Sequence, residues 1–166
     1  TAKVFRTFNA STVFQKELDI INEDKVKSIH ENERINYLIT MFNQANTTVA
    51  LLCNHQKSVS GKFDEMIEKL DQKIKDLKKK KRKYTEKKKK EMVDKVNSKI
   101  KLTRLKRDQK INMKNVSLGT SKMNYIDPRI IFAFIKRFEI PPEKLFTSTL
   151  LKRFTWASKV ESTYRF

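Results

Sequence analysis

Leu118-Gly119-Thr120-Ser121-Lys122-Met123-Asn124-Tyr125-Ile126-Asp127-Pro128-Arg129-Ile130 is the stretch on which the fold turns. Asp127 ahead of Pro128 predicts a helix start. The carboxylate can accept an orphan backbone amide, and proline at the first helical position forfeits no hydrogen bond. Behind it, Ile131, Phe134, Ile135 and Phe138 recur at helical spacing and give that helix an apolar face to seat on a core. Residues 117–124 read as a loop. Tyr125 then stands just before a helix N-terminus, where free amides and the positive dipole end favour an anion such as a phosphate. On those grounds alone, a tyrosine in this place is more often a packing residue with a satisfied hydroxyl than a nucleophile.

Upstream of that stretch the composition changes. From Gly61 to Asn115, 22 basic residues face 9 acidic ones, so +13 of the chain's net +19 lies there. With 38 Lys plus Arg against 19 Asp plus Glu overall, the surplus points to a polyanionic partner, nucleic acid first and an acidic membrane second. Phe63, Ile67, Leu70, Ile74 and Leu77 alternate steps of four and three, the seam of a coiled coil. The seam fades into two lysine runs, Lys78 to Lys83 and Lys87 to Lys90, and a weaker series follows at Met92, Val96, Ile100 and Thr103. One straight helix could not hide its stripe. Two antiparallel helices joined near Lys83 to Lys88 could, each arm reaching on the order of 30 Å.

At the start of the chain, Asn9, Ser11 and Thr12 are cap candidates, and Thr12 with Gln15 fits a capping box ahead of Phe14, Leu18 and Ile21. Residues 22–32 read as a polar loop with a solvated His30. From Glu33 a helical stripe runs through Ile35, Leu38 or Ile39, Phe42, Ala45, Val49 and Leu52. Cys53, beside its end, reads as a small core residue. At the other end, Pro141-Pro142 stops one helix and starts a short one, and a last helix near Thr149 to Val160 turns Leu150, Leu151, Phe154 and Ala157 inward. Trp156 reads as a core residue or an interface anchor. No strand-like alternation is convincing, so the expected class is all-α.

A length of 166 residues permits a real core, although 38% hydrophobic content is lean. The lone cysteine excludes an internal disulfide framework and suits a reducing compartment. No apolar run approaches the roughly 18 residues of a membrane span, and no secretory signal opens the chain.

The wording of three segments narrows the reading. Ser121 to Ile130 closely resembles the active-site tyrosine segment of eukaryotic type IB DNA topoisomerases. Ala2-Lys3-Val4-Phe5-Arg6-Thr7-Phe8-Asn9-Ala10-Ser11 and Val49-Ala50-Leu51-Leu52-Cys53-Asn54-His55-Gln56 resemble the same family in the same order, with a basic linker between the second and third. The resemblance implies three parts: the helical end of a catalytic core at residues 1–60, a basic coiled-coil linker at 61–115, and a small C-terminal domain at 116–166 carrying the nucleophile. With Thr1 leading directly into a family motif, the chain is expected to be a C-terminal fragment.

Opening a DNA phosphodiester by transesterification needs an oxygen nucleophile, donors for the nonbridging oxygens and an acid for the leaving oxygen. A free phenol titrates near pH 10, so its phenolate needs cationic surroundings. Guanidinium can fork onto two phosphate oxygens, and imidazole adds one N–H donor. By resemblance, Tyr125 is the nucleophile that becomes a 3′-phosphotyrosine, Arg6 a phosphate-clamping arginine and His55 a donor to a nonbridging oxygen. Such chemistry needs neither ATP, metal nor another cofactor.

Lys3, Lys122 and Asn124 are candidate DNA contacts by adjacency. The family's other arginine and its general-acid lysine are expected before Thr1, in an upstream part of the core that would be this chain's partner alongside duplex DNA, with a nuclear or mitochondrial address and no membrane. The plainer readings make Arg6 a surface phosphate contact, His55 a helix-terminal residue bonded to a carbonyl, and the linker a solvated connector. A tyrosine recombinase or integrase, or a non-catalytic basic coiled-coil protein that packages nucleic acid, is the rival assignment.

Overall fold

The computed structural model describes residues 2–55, 58, 59 and 61–166. Eight α-helices account for most of it, with no strand among the described residues. They are α1 (Ala2–Asp19), α2 (Glu23–Lys27), α3 (Glu31–Leu52), α4 (Phe63–Glu86), α5 (Lys90–Asn112), α6 (Leu118–Asn124), α7 (Pro128–Arg137) and α8 (Ser148–Arg153). Single 3-10 turns follow α7 at Pro142–Lys144 and α8 at Thr155–Lys159. The chain divides into two compact units. One comprises Thr1–Asn22, Met41–Gln56 and Val116–Phe166; the other comprises Glu23–Thr40 and Lys57–Asn115.

The first unit is built around α7. Asp127 caps it as expected, its Oδ1 accepting from the Arg129 amide at 2.9 Å, and Pro128 takes the first helical position. Burial goes further than the predicted stripe: Pro128 and every residue from Ile130 to Ile135 are buried, while Arg129, Lys136 and Arg137 keep one side of α7 polar and open. Aromatic contacts tie it to its neighbours. Phe134 lies 5.8 Å from Phe42 of α3, which meets Phe14 of α1 edge-on at 5.3 Å. Phe132 lies 5.2 Å from Phe146, and that ring 5.9 Å from Phe154. Each such ring removed from water contributes roughly 1.5–3 kcal/mol.

Three expectations from the sequence give way here. Helix α1 does not start at Ser11 or Thr12 but runs unbroken from Ala2, with Ala10, Ser11, Phe14, Gln15 and Leu18 buried. The Ser11 hydroxyl bonds distant backbone instead of capping its own helix. Residues 117–124 are not a loop: α6 forms there, because Asn46 Nδ2 donates to Leu118 O at 3.1 Å and Ser121 is wholly buried. Tertiary packing overrides weak local propensity at Gly119, Thr120 and Ser121. Trp156 is 59% exposed, which removes the core reading.

The second unit contains a helical hairpin. Helices α4 and α5 turn at Lys87 to Lys89, a little later than the periodicity suggests. Ile74, Val96, Ile100, Leu102 and Thr103 are buried along the arms, and Arg107 Nε pairs with Asp71 at 2.7 Å. At about 1.5 Å per residue the 24 residues of α4 span roughly 36 Å. The expected loop at 22–32 contains α2, whose acidic first turn and basic last turn suit the helix dipole, with Val26 buried beneath.

Helices α3, α4 and α7 end in one way. Asn54, Lys88 and Glu139 adopt φ values of 53°, 51° and 52°, the left-handed conformation. The amide after each reaches back to a carbonyl: His55 to Ala50 at 2.8 Å, Lys89 to Tyr84 at 3.0 Å and Ile140 to Ile135 at 3.0 Å. That is the six-to-one bond of a Schellman terminus, made here without glycine.

A candidate nucleic-acid cleavage site

The α3 terminus decides where the histidine goes. Asn54, a residue that tolerates φ > 0, turns the chain, and His55 follows with its amide on Ala50 O and its carbonyl accepting from Ser117 N at 2.8 Å. Main-chain bonds on both sides thus fix its backbone. Its Nδ1 lies 2.8 Å from Ser121 Oγ of α6.

The segment after α6 is fixed as tightly. The amides of Tyr125 and Ile126 both donate to Ser121 O at 3.0 Å. Ser11 of α1 reaches across, its hydroxyl donating to Tyr125 O at 3.3 Å and accepting from Asp127 N at 3.0 Å. With Arg129 N on Asp127 and Ile130 N on Asp127 O, each amide from Tyr125 to Ile130 has a partner, Pro128 having none to offer. This corrects the idea that free helix-start amides would receive an anion: donors must come from side chains.

Those side chains converge. Arg6 Nη1 donates to the Tyr125 phenol oxygen at 3.3 Å, and its guanidinium lies 5.5 Å from the ring centre. The His55 and Tyr125 rings stack at 25°, with centres 5.1 Å apart. Arginine, histidine and tyrosine from opposite ends of the chain therefore share one spot on the first unit. Burial, followed by the nearby Arg6 cation, holds the His55 imidazole below its usual range, so the ring is neutral at neutral pH. Arg6 is permanently charged and cannot take the phenol's proton. What the trio offers is one nucleophilic oxygen, one cation beside it and one imidazole N–H nitrogen at its flank.

An open groove runs alongside, lined by Arg6, Asn9, Thr12, Lys16, Cys53 and Asn54 among others. Two cations with amide and hydroxyl donors suit a phosphodiester backbone. Cys53 is half-buried on this groove rather than deep in the core, and burial pushes its thiol up against the opposing pull of Arg6.

The remaining candidates lie elsewhere. Lys3 is exposed beside Phe8 and Phe166. Asn124 is exposed at the end of α6. Lys122 is turned inward, its Nζ donating to Leu145 O at 2.8 Å near the Phe42 ring, and burial pushes the amine below the ordinary lysine range. Arg129 forks onto Asp127, with Nη2 to Oδ2 at 2.7 Å, and stacks on Tyr164. Gln56, the last residue of the second matching stretch, lies outside the described residues. Two residues that the sequence did not mark as part of the site, Ser11 and Ser121, make its joints. Both sit inside the matching stretches, but a serine's distant partner leaves no local trace. No group of acidic, histidine or cysteine side chains among the described residues could hold a metal ion.

The description "Eukaryotic DNA topoisomerase I, catalytic core" matches residues 1–89, more than half of the chain, and "C-terminal topoisomerase domain" matches residues 97–166. The chain belongs to the eukaryotic DNA topoisomerase I family. It is 42% identical over 95% of its length to DNA topoisomerase 1 of Caenorhabditis elegans and covers 20% of that protein. It is 37% identical over its whole length to DNA topoisomerase 1 alpha of Arabidopsis thaliana, again covering 20%. Against the mitochondrial DNA topoisomerase I of Homo sapiens it is 34% identical over 95% of its length and covers 28% of that protein. The chain thus spans between a fifth and under a third of these topoisomerases.

Proposed function

We propose that this chain supplies the nucleophile and two phosphate ligands of a type IB topoisomerase that relaxes supercoiled DNA. Tyr125 gives up its phenol proton to solvent and attacks the scissile phosphorus, and the 5′ oxygen leaves with a proton from the upstream acid. A 3′-phosphotyrosine conserves the bond energy for religation without ATP, metal or cofactor. Arg6 holds the phenol oxygen before attack and a nonbridging oxygen afterwards; His55 donates to the phosphate from its fixed flank. The observation that carries the reading is the Arg6 to Tyr125 contact of 3.3 Å across 119 residues of sequence, with His55 stacked on the same phenol.

The other arginine and the leaving-group acid come from the upstream part of the core, fused or separate. Val4, Phe5 and Phe8, all exposed on the same helix as Arg6, form the apolar face that such a partner would cover. The hairpin at 61–115 acts as the linker: its exposed lysines line duplex DNA beyond the cut as a coiled coil and slow rotation of the free end. The likeness to eukaryotic relatives, a mitochondrial form among them, supports a nuclear address or a mitochondrial one.

Relaxation of supercoiled plasmid tests this. The complete protein should relax it in EDTA without ATP, Arg6→Ala should slow it by at least about 100-fold, and the 166-residue chain alone should be inactive. Activity of the chain by itself, or site-specific strand exchange in place of relaxation, contradicts the assignment.

A further inference from the structure

Ser121 touches both partners of the phenol. Its main-chain oxygen accepts from Tyr125 and Ile126, and its hydroxyl meets His55 Nδ1 at 2.8 Å. It is wholly buried, and His55 is its hydroxyl's only hydrogen-bond partner among the described residues. A serine hydroxyl with one partner places its hydrogen there when that partner is an unprotonated ring nitrogen. A neutral imidazole that accepts at Nδ1 carries its own proton on Nε2. The alternative tautomer would leave the serine hydrogen buried with no acceptor, which costs free energy, and would turn a lone pair toward the phosphate.

We infer that Ser121 is a positioning residue: it donates to His55 Nδ1, fixes the Nε2–H tautomer and so aims one N–H donor at a nonbridging oxygen of the phosphate that Tyr125 attacks. The inference rests on the proposed cleavage reaction and adds to it which atom of His55 does the donating and what holds it so. Because Ser121 also carries the backbone of Tyr125, the same short helix sets donor and nucleophile in register. A shift of α6 would move both together.

The test uses the complete protein and a nicked duplex that traps the covalent intermediate in a single turnover. Wild type, Ser121→Ala, His55→Ala and the double variant are compared for cleavage rate and for DNA binding in a Tyr125→Phe background. Ser121→Ala should slow cleavage about tenfold, the scale of one uncharged hydrogen bond, with binding unchanged. In the His55→Ala background the serine substitution should have no further effect. Additive losses, weakened binding by Ser121→Ala, or cleavage at the wild-type rate would each overturn the inference. Absence of any covalent intermediate in the wild type would instead overturn the reaction itself, so the two failures are distinct.

Discussion

Ser11 and Tyr125 are joined through the backbone: the serine hydroxyl of α1 donates to the tyrosine carbonyl at 3.3 Å and accepts from the Asp127 amide at 3.0 Å. One residue of the first helix thus holds both Tyr125 and the cap of α7. Ser11→Ala leaves the part-buried Asp127 amide without its acceptor and should cost about 1 kcal/mol, read as a lower midpoint in urea denaturation. Cleavage should also slow, because the Tyr125 backbone loses one of its anchors while Arg6 and His55 stay in place.

The turn of the hairpin makes a separate prediction. Lys88 sits at φ 51°, a conformation that costs an ordinary residue roughly 1 kcal/mol and glycine almost nothing. Lys88→Gly should therefore stabilise the protein by up to about 1 kcal/mol in thermal unfolding. Lys88→Val should destabilise it.

For the lysine runs the readout is salt. Lys78, Lys79, Lys80, Lys83 and Lys87 to Lys90 are exposed, and surface pairs such as Lys69–Glu65 neutralise few of the hairpin's cations. Replacing five of them with glutamine should flatten the dependence of log affinity on log salt by up to about 0.9 for each phosphate no longer neutralised. The single-turnover cleavage rate should be little changed. A collapse of cleavage with an unchanged salt slope contradicts the linker role.

Acid titration probes His55. Its folded pKa lies below the unfolded value near 6.5, so the unfolded chain binds the proton more readily. The associated stability is fully present above about pH 6.5 and is lost as pH falls from there toward the folded pKa. His55→Gln should therefore lose less stability than wild type between about pH 7.5 and pH 5.5, measured as the shift in melting temperature.

Much of this arrangement was legible in the residues. Asp127-Pro128 marks its helix start by a local interaction, and the steps of four and three from Phe63 to Leu77 mark an arm of the hairpin, because both signals arise within a few residues of each other. Ser11 misled as a cap since its hydroxyl's partners lie more than 110 residues away. Residues 118–124 misled as a loop since what folds them is Asn46, His55 and Leu145 rather than their own propensity. Lys122, three residues before Tyr125, points into the protein because α6 ends between them and its own turn sets which side chains face the core.

Mass spectrometry of the trapped protein–DNA adduct reads directly whether the Tyr125 oxygen bonds to phosphorus. One adduct is expected, a DNA 3′-phosphate on the peptide containing Tyr125, present in the wild type and lost in Tyr125→Phe. An adduct on any other residue, or one that survives Tyr125→Phe, contradicts the proposed chemistry.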